Sequence, residues 1–138
     1  MLFRSKSSAV FSGKVIEINK NSSSHTKTVK FDVERTWKGV SEKQVTVITG
    51  SDDGNCGYPF MMNETYLVYS YGEDSLYTSS CGRNTLFENA YDDLRTLGNG
   101  TTVPEFSISA VSILGAGLLL LLLFHKRKWN NRQFINNP

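Results

Sequence analysis

Residues 1–105 of this chain contain little cysteine and histidine. They contain two cysteines, Cys56 and Cys81, and one histidine, His25. These three residues complete a structural zinc site only if carboxylates join them. The run DDGN at residues 52–55 has a calcium-like composition. It lacks the alternating oxygen ligands and closing glutamate of an EF-hand loop, so we expect a turn there and no metal or cofactor.

Catalytic groups are also scarce. His25 lies in a serine-rich segment, where it could pair with a cysteine, but nothing in the sequence orients such a pair. The neighbours Asp52-Asp53 and Asp92-Asp93 point apart, so neither pair forms an acid–base couple, and we interpret both as solvated charges. We predict that the protein is not an enzyme.

Residues 1–105 carry no excess of positive charge, although the net charge of the whole chain is +2. Four of the 15 basic residues follow residue 124, which leaves 11 against 13 acidic residues and a net charge of −2. A nucleic-acid-binding surface needs a basic stripe or patch, so we expect no nucleic-acid partner. Six aromatic residues between positions 58 and 77 could stack on bases or sugars, but the acidic charge favours a core role for them.

The first eight residues, MLFRSKSS, lack the apolar region of a secretory signal peptide. By contrast, residues 106–124 contain no charge and are followed by the basic cluster HKRK. About 20 apolar residues span a bilayer as a helix, and adjacent basic residues favour the cytoplasmic side. We therefore predict a single-pass cell-membrane protein with an extracellular domain. A true N-terminus upstream of Met1 would account for the missing signal. The alternative is a tail-anchored protein whose domain stays in the cytosol.

An extracellular location bears on the cysteines and on three asparagines. Cys56 and Cys81 are disulfide candidates in that compartment, and two free buried thiols are the alternative. The sequons NSS, NET and NGT make glycosylation candidates of Asn21, Asn63 and Asn99.

Hydrophobic alternation predicts a mostly β domain. Val29, Phe31, Val33 and Trp37 alternate with polar residues, which predicts one buried face of a strand. Strands are predicted at residues 9–18, 28–37, 44–49, 66–71 and 76–80, and a helix at residues 88–97. Five closely spaced strands suggest a small barrel. The resulting division is a stub at 1–8, a domain at 9–98, a linker at 99–105, a span at 106–124 and a basic cytoplasmic tail at 125–138.

Several strings in this domain resemble one known family. CGYPF at 56–60, ETYLVY at 64–69 and LYTSSC at 76–81 resemble the microbial relatives of the tissue inhibitors of metalloproteinases, as do AVFSGKV at 9–15 and WKG at 37–39. The resemblance implies an all-β fold, the netrin-like version of the five-stranded OB barrel with one late helix.

That family inhibits through an N-terminal Cys-X-Cys, whose amino group and carbonyl chelate the zinc of the protease. Its two cysteines are bridged to two later ones, which match Cys56 and Cys81. This chain has no Cys-X-Cys, so we expect either a true start further upstream or a degenerate relative. The resemblance implies a metalloendopeptidase inhibitor. Together with the predicted span, it leads us to expect a membrane-anchored extracellular binding module whose partner is a zinc metalloproteinase. The alternative is a structural or adhesive surface glycoprotein.

The segment before the apolar run resembles a second pattern. Pro104, Glu105 and Phe106, followed by the apolar run and the basic cluster, resemble the archaeal PEF-type C-terminal sorting signal. The resemblance implies recognition at the membrane and cleavage by a sortase-like enzyme. A plain single-span anchor is the alternative, because residues 129–138 continue beyond the basic cluster.

Overall fold

The chain divides into two compact units, residues 1–104 and residues 105–138. A computed structural model describes residues 6–105. The predicted span, the basic tail, Phe106 of the sorting motif and most of the N-terminal stub therefore lie outside the described residues. Between residues 6 and 105, no helix has both the length and the apolar character needed to cross a bilayer.

Four long strands form the frame of the first unit, and three two-residue strands extend it. The strands are β1 Ala9–Asn21, β2 Thr26–Lys38, β3 Gln44–Gly50, β4 Thr65–Ser70, β5 Leu76–Tyr77, β6 Thr85–Leu86 and β7 Thr101–Thr102. Residues 7–105 also contain two 3-10 turns, Asp53–Asn55 and Phe87–Asn89, and the helix α1 Tyr91–Leu97.

The strands join into a single curled sheet. Their order is β5-β3-β2-β1-β4-β6, and β7 pairs with β2 beside this path. All pairings are antiparallel except that of β3 with β5. Tyr71, just after β4, exchanges two backbone hydrogen bonds with Tyr77 of β5, at 2.8 and 2.9 Å. The sheet therefore curls into a half-barrel, and this bridge links β4 to β5.

The inner face of the curled sheet holds the main core, as the alternation in β2 predicts. Val29, Phe31 and Val33 are fully buried, whereas Glu34 is exposed. The partly exposed outer residues of β2 face oppositely charged neighbours on β1, because Asp32 lies opposite Lys14 and Lys30 opposite Glu17. Burial of each large apolar side chain contributes roughly 1.5–3 kcal/mol, so this face dominates the stability of the unit.

Trp37 does not share the buried face of Phe31, and that part of the prediction is wrong. It packs instead with Val10 and Leu67 in a second cluster on the other side of β1 and β4. The β1–β2 ladder shifts register twice near its end, leaving Glu34 and Trp37 without direct partners on β1. A bulge of this kind adds one residue and reverses the alternation beyond it.

Helix α1 covers the outer face of β1 and β4, so both strands are buried on two sides. Leu94 and Leu97 of the helix join the second cluster with Val10 and Leu67. The helix begins at Tyr91, three residues later than predicted, because a 3-10 turn occupies Phe87–Asn89. It ends as predicted at Gly98, whose N–H donates to the Leu94 carbonyl at 2.9 Å.

Candidate functional site

Three loops meet at the end of the sheet where β2 begins. They are the β1–β2 turn at residues 22–25, the segment at residues 51–57 and the turn at residues 79–82, together called the loop cluster here. Ser51 donates its N–H to the His25 carbonyl at 3.0 Å, which joins the first two loops. Ser80 donates to the Cys56 carbonyl at 2.9 Å, which joins the second and third. Backbone hydrogen bonds therefore hold these exposed loops to one another.

Close backbone packing shapes the 51–57 segment. A Cβ atom at Gly50 would collide with the Asn55 carbonyl, and one at Gly57 would collide with the Gly50 carbonyl. The Asp52 carboxylate accepts hydrogen bonds from the backbone and side-chain nitrogens of Asn55, both at 3.2 Å. Asp52 therefore caps the turn predicted for the DDGN run. Within residues 6–105, no three histidine, cysteine or acidic residues group so as to hold a metal ion.

Both cysteines are free thiols of the loop cluster, as the alternative to a disulfide expected, but both are exposed rather than buried. They form no disulfide with each other in this structure. The hydrogen bond from Ser80 to Cys56 nevertheless places their loops side by side. With standard backbone dimensions, it limits the separation of the two cysteine Cα atoms to about 10 Å. Cys56 also has a left-handed backbone, with φ at 53°, which a cysteine seldom adopts.

His25 lies in the same loop cluster and is exposed, with φ at 49°. Its backbone carbonyl is tied to Ser51, and this bond fixes the turn rather than the imidazole. The sequence offered no group to orient a thiol–imidazole pair. The hydrogen bond between Ser51 and the His25 carbonyl does not orient the imidazole ring either. The arrangement is that of a surface turn.

A polar network that the sequence did not reveal supports the Cys81 loop. Asn84 is buried, accepts the Tyr69 N–H at 2.9 Å and donates to Thr78 Oγ1 at 2.8 Å. Thr78 in turn donates to the Tyr69 carbonyl at 2.8 Å. These bonds fasten the start of the 79–82 turn to β4. A lone asparagine in a polar stretch carries no periodic signal, so only the fold identifies its role.

Asp93 extends this support to the helix. Its carboxylate accepts from Arg83 Nε at 2.6 Å and from the Tyr69 hydroxyl at 3.1 Å, and its side chain is only 15% exposed. The interpretation of Asp93 as a solvated charge is therefore wrong, although its neighbour Asp92 is exposed. Asp93 connects α1, β4 and the segment that carries Cys81.

The aromatic cluster is mainly core, as predicted. Phe60 packs edge-on against Phe31 and Tyr66, with ring centroids 5.2 and 4.9 Å apart. Burial raises the pKa of the neighbouring Tyr58, and Tyr66 adds to the effect, so this phenol stays neutral. Tyr77 departs from the prediction, because 51% of it is exposed. Met61 and Met62, which follow Phe60 in the sequence, are also exposed, at 55% and 47%.

The three sequon asparagines are all exposed. Asn21 ends β1, and its side-chain oxygen accepts the N–H groups of Ser23 and Ser24 at 3.0 and 3.3 Å. Asn63 has a left-handed backbone in the turn before β4, with φ at 67°, and Asn99 lies between α1 and β7. All three side chains are therefore accessible at the surface.

The remaining predicted site residues lie at the C-terminal edge of the unit. Pro104 and Glu105 are both exposed, and Phe106 lies outside the described residues.

Neither a family model nor a curated protein matches this sequence.

Proposed function

We propose that this protein is a membrane-anchored extracellular binding module with a netrin-like OB barrel. The strand pairings support the fold. Strands β1, β2 and β3 form a meander, β4 returns to β1, and β5 runs parallel to β3 and bridges to the end of β4. These are the neighbours expected in a five-stranded Greek-key barrel of the OB type.

The observation that carries the function is the loop cluster. It presents two exposed thiols on neighbouring, hydrogen-bonded loops, supported from behind by Asn84 and Asp93. A surface that is already ordered loses little entropy on association, which favours binding. Charges of opposite sign face each other on β1 and β2, Lys14 opposite Asp32 and Glu17 opposite Lys30, so this face lacks the basic stripe that nucleic-acid binding needs.

The proposed partner is a zinc metalloendopeptidase. This proposal rests on the resemblance, in which two later cysteines hold the zinc-chelating amino terminus at the barrel edge. The matching residues Cys56 and Cys81 lie on adjacent loops of one edge, as that arrangement requires. Because residues 1–138 contain no Cys-X-Cys, we expect these residues to bind through the loop cluster with little inhibition.

A panel of zinc proteases tests this function. The full chain in detergent micelles is immobilised, and protease binding and residual peptidase activity are both measured. We expect one or more proteases to bind and to retain most of their activity. Disruption of the turn by Asp52→Ala should weaken binding, whereas Thr46→Ala on the outer face of β3 should not. Absence of binding across the panel would contradict the proposal. Potent stoichiometric inhibition would contradict the argument from the missing Cys-X-Cys.

A second function, a structural or adhesive surface glycoprotein, is favoured by the exposure of all three sequon asparagines. Intact mass measurement before and after enzymatic glycan removal distinguishes it from the first. Glycans at Asn21 and Asn99, together with no protease binding, would support this second function. An unmodified chain isolated from its own cells would argue against it.

A further inference from the structure

We propose that residues 17–21 of β1, called the open β1 edge here, form an interaction surface whose partner is the same edge of a second copy of this chain. The two β1 strands run antiparallel and join two curled sheets into one. This pairing goes beyond the proposed function and does not depend on it, because neither a protease nor the residues after 105 take part.

Strand β1 has neighbours on both sides in its first half and on one side in its second half. β4 pairs with residues 9–14 of β1. Val15 then donates its N–H to the Glu64 carbonyl at 2.9 Å and accepts the Asn63 N–H at 3.0 Å. β2 pairs with β1 as far as Asn21. Within residues 6–105, no strand pairs with residues 17–21 on the side opposite β2, so backbone N–H and C=O groups there are open to another strand.

A β-bulge separates the two halves of β1. The register of β1 on β2 shifts between Val15 and Glu17, which leaves Ile16 without a direct partner on β2. A bulge of this kind bends its strand, and this one lies where the pairing with β4 ends. The sequence that follows, EINKN, contains no proline to block the edge.

The strand pairings determine which backbone groups face the open side. Val33 of β2 donates its N–H at 2.7 Å to the carbonyl of the residue just before β3. Because the direction alternates along a strand, the even-numbered residues of β2 direct their backbone groups to β1. Thr28 lies opposite Asn19, so the backbone groups of Asn19 face β2. Those of Ile18 and Lys20, on either side of it, face the open side.

These backbone groups are complementary to themselves in one register. When Asn19 lies opposite Asn19 of the second copy, Ile18 lies opposite Lys20 of the second copy, and four intermolecular hydrogen bonds use all the open groups of both residues. With Ile18 at the centre, Lys20 would face the bulge. With Lys20 at the centre, Ile18 would face the β1–β2 turn. The central position of Asn19 therefore gives the most hydrogen bonds.

The side chains of the edge also suit a second copy. Glu17 and Lys20 carry opposite charges, so the edge has no net charge and two identical edges do not repel each other. Ile18 is half-buried, and in this register it lies opposite the apolar stem of Lys20 of the second copy. An edge with charges of one sign would disfavour its own copy, whereas this edge does not.

Sedimentation equilibrium of the full chain in density-matched detergent tests the inference. The chain is produced without glycans, because Asn21 lies at the end of the edge. Lys20→Pro removes an N–H that faces the open side, where proline is tolerated. Lys20→Ala keeps this N–H and is the matched control. We expect a monomer–dimer equilibrium with a dissociation constant about ten-fold or more higher for Lys20→Pro than for Lys20→Ala, because two of the four hydrogen bonds are lost.

Equal association of these two variants would overturn the inference, as would a monomer at every concentration. Cysteine cross-linking tests the register and does not require Lys20→Pro to fold. In a Cys56→Ser and Cys81→Ser background, Asn19→Cys places two Cα atoms about 4.5 Å apart, within disulfide range. The control Glu17→Cys faces residue 21 of the second copy, about 13 Å along the strand from its own counterpart. We expect air oxidation to link Asn19→Cys several-fold more than Glu17→Cys, and equal linking would contradict the register.

Hydrogen exchange distinguishes a second copy from other occupants of the edge. We expect the Ile18 and Lys20 amides to exchange rapidly in dilute samples and more slowly as the concentration rises. Slow exchange at every concentration would show that another segment of the same chain covers the edge, and would overturn the inference. None of these measurements involves a protease, so their failure and the failure of the proposed function are distinguishable.

Discussion

At the scale of single residues, Phe31 is the centre of the main core. It is fully buried and packs edge-on against Phe11 and Phe60, with ring centroids 5.5 and 5.2 Å apart. Phe31→Ala should lower the free energy of unfolding by about 3–5 kcal/mol, because it removes a buried ring and leaves a cavity. The control Lys30→Ala lies on the outer face and should cost less than about 1 kcal/mol. Denaturant titration of the full chain in detergent measures both, and equal losses would contradict the assigned strand faces.

Asp93 gives a second residue-scale prediction, since it joins three elements through two hydrogen bonds. Asp93→Ala should cost about 1–3 kcal/mol, because Tyr69 and Arg83 lose a partly buried charged partner. The adjacent Asp92 is exposed, and Asp92→Ala should cost less than about 1 kcal/mol through the helix dipole alone. Thermal unfolding of the two variants compares them directly. A larger effect at Asp92 would refute the role assigned to the network.

At the scale of elements, the sequence predicted the four long strands and the short β5, which was expected over residues 76–80, but it missed β6 and β7. β2 and β3 have one buried face, so alternation identifies them, and apolar runs identify β1 and β4. The strands β6 and β7 contain two residues each, too few to show a period. The reversal at Trp37 could not be predicted either, because the register shifts depend on how β1 pairs with β2.

The segment at residues 99–103, which pairs with the end of β2, is the element whose disruption is most specific. Gly100→Ala should weaken the pairing of β7 with β2, because the new methyl group meets the Trp37 ring and the backbone at residue 100 is left-handed. We expect faster hydrogen exchange at the Thr102 and Val103 amides, with little change in β1. The residue that precedes Gly100, Asn99, is exposed and has no positive φ. Asn99→Ala is therefore the control and should have the smaller effect. The reverse order would contradict the packing of Trp37 on Gly100.

At the scale of the whole molecule, the loop cluster depends on topology more than on any motif. Cys56 and Cys81 are 25 positions apart in sequence, and they approach because β5 runs parallel to β3 and returns the chain to the same end. Periodicity alone predicts the strands but not their order, so it could not bring these loops together. The family resemblance did imply that both cysteines lie at one edge, and the Ser80–Cys56 hydrogen bond agrees with that expectation.

We propose that the C-terminal segment displays the domain of residues 9–98 outside the cell. Protease treatment of intact cells that carry a C-terminal epitope tag tests this topology. Because basic residues beside a span favour the cytoplasm, we expect loss of the domain and survival of a short tagged fragment. Protection of the domain in intact cells, with cleavage only after lysis, would show a cytosolic domain and would contradict this topology.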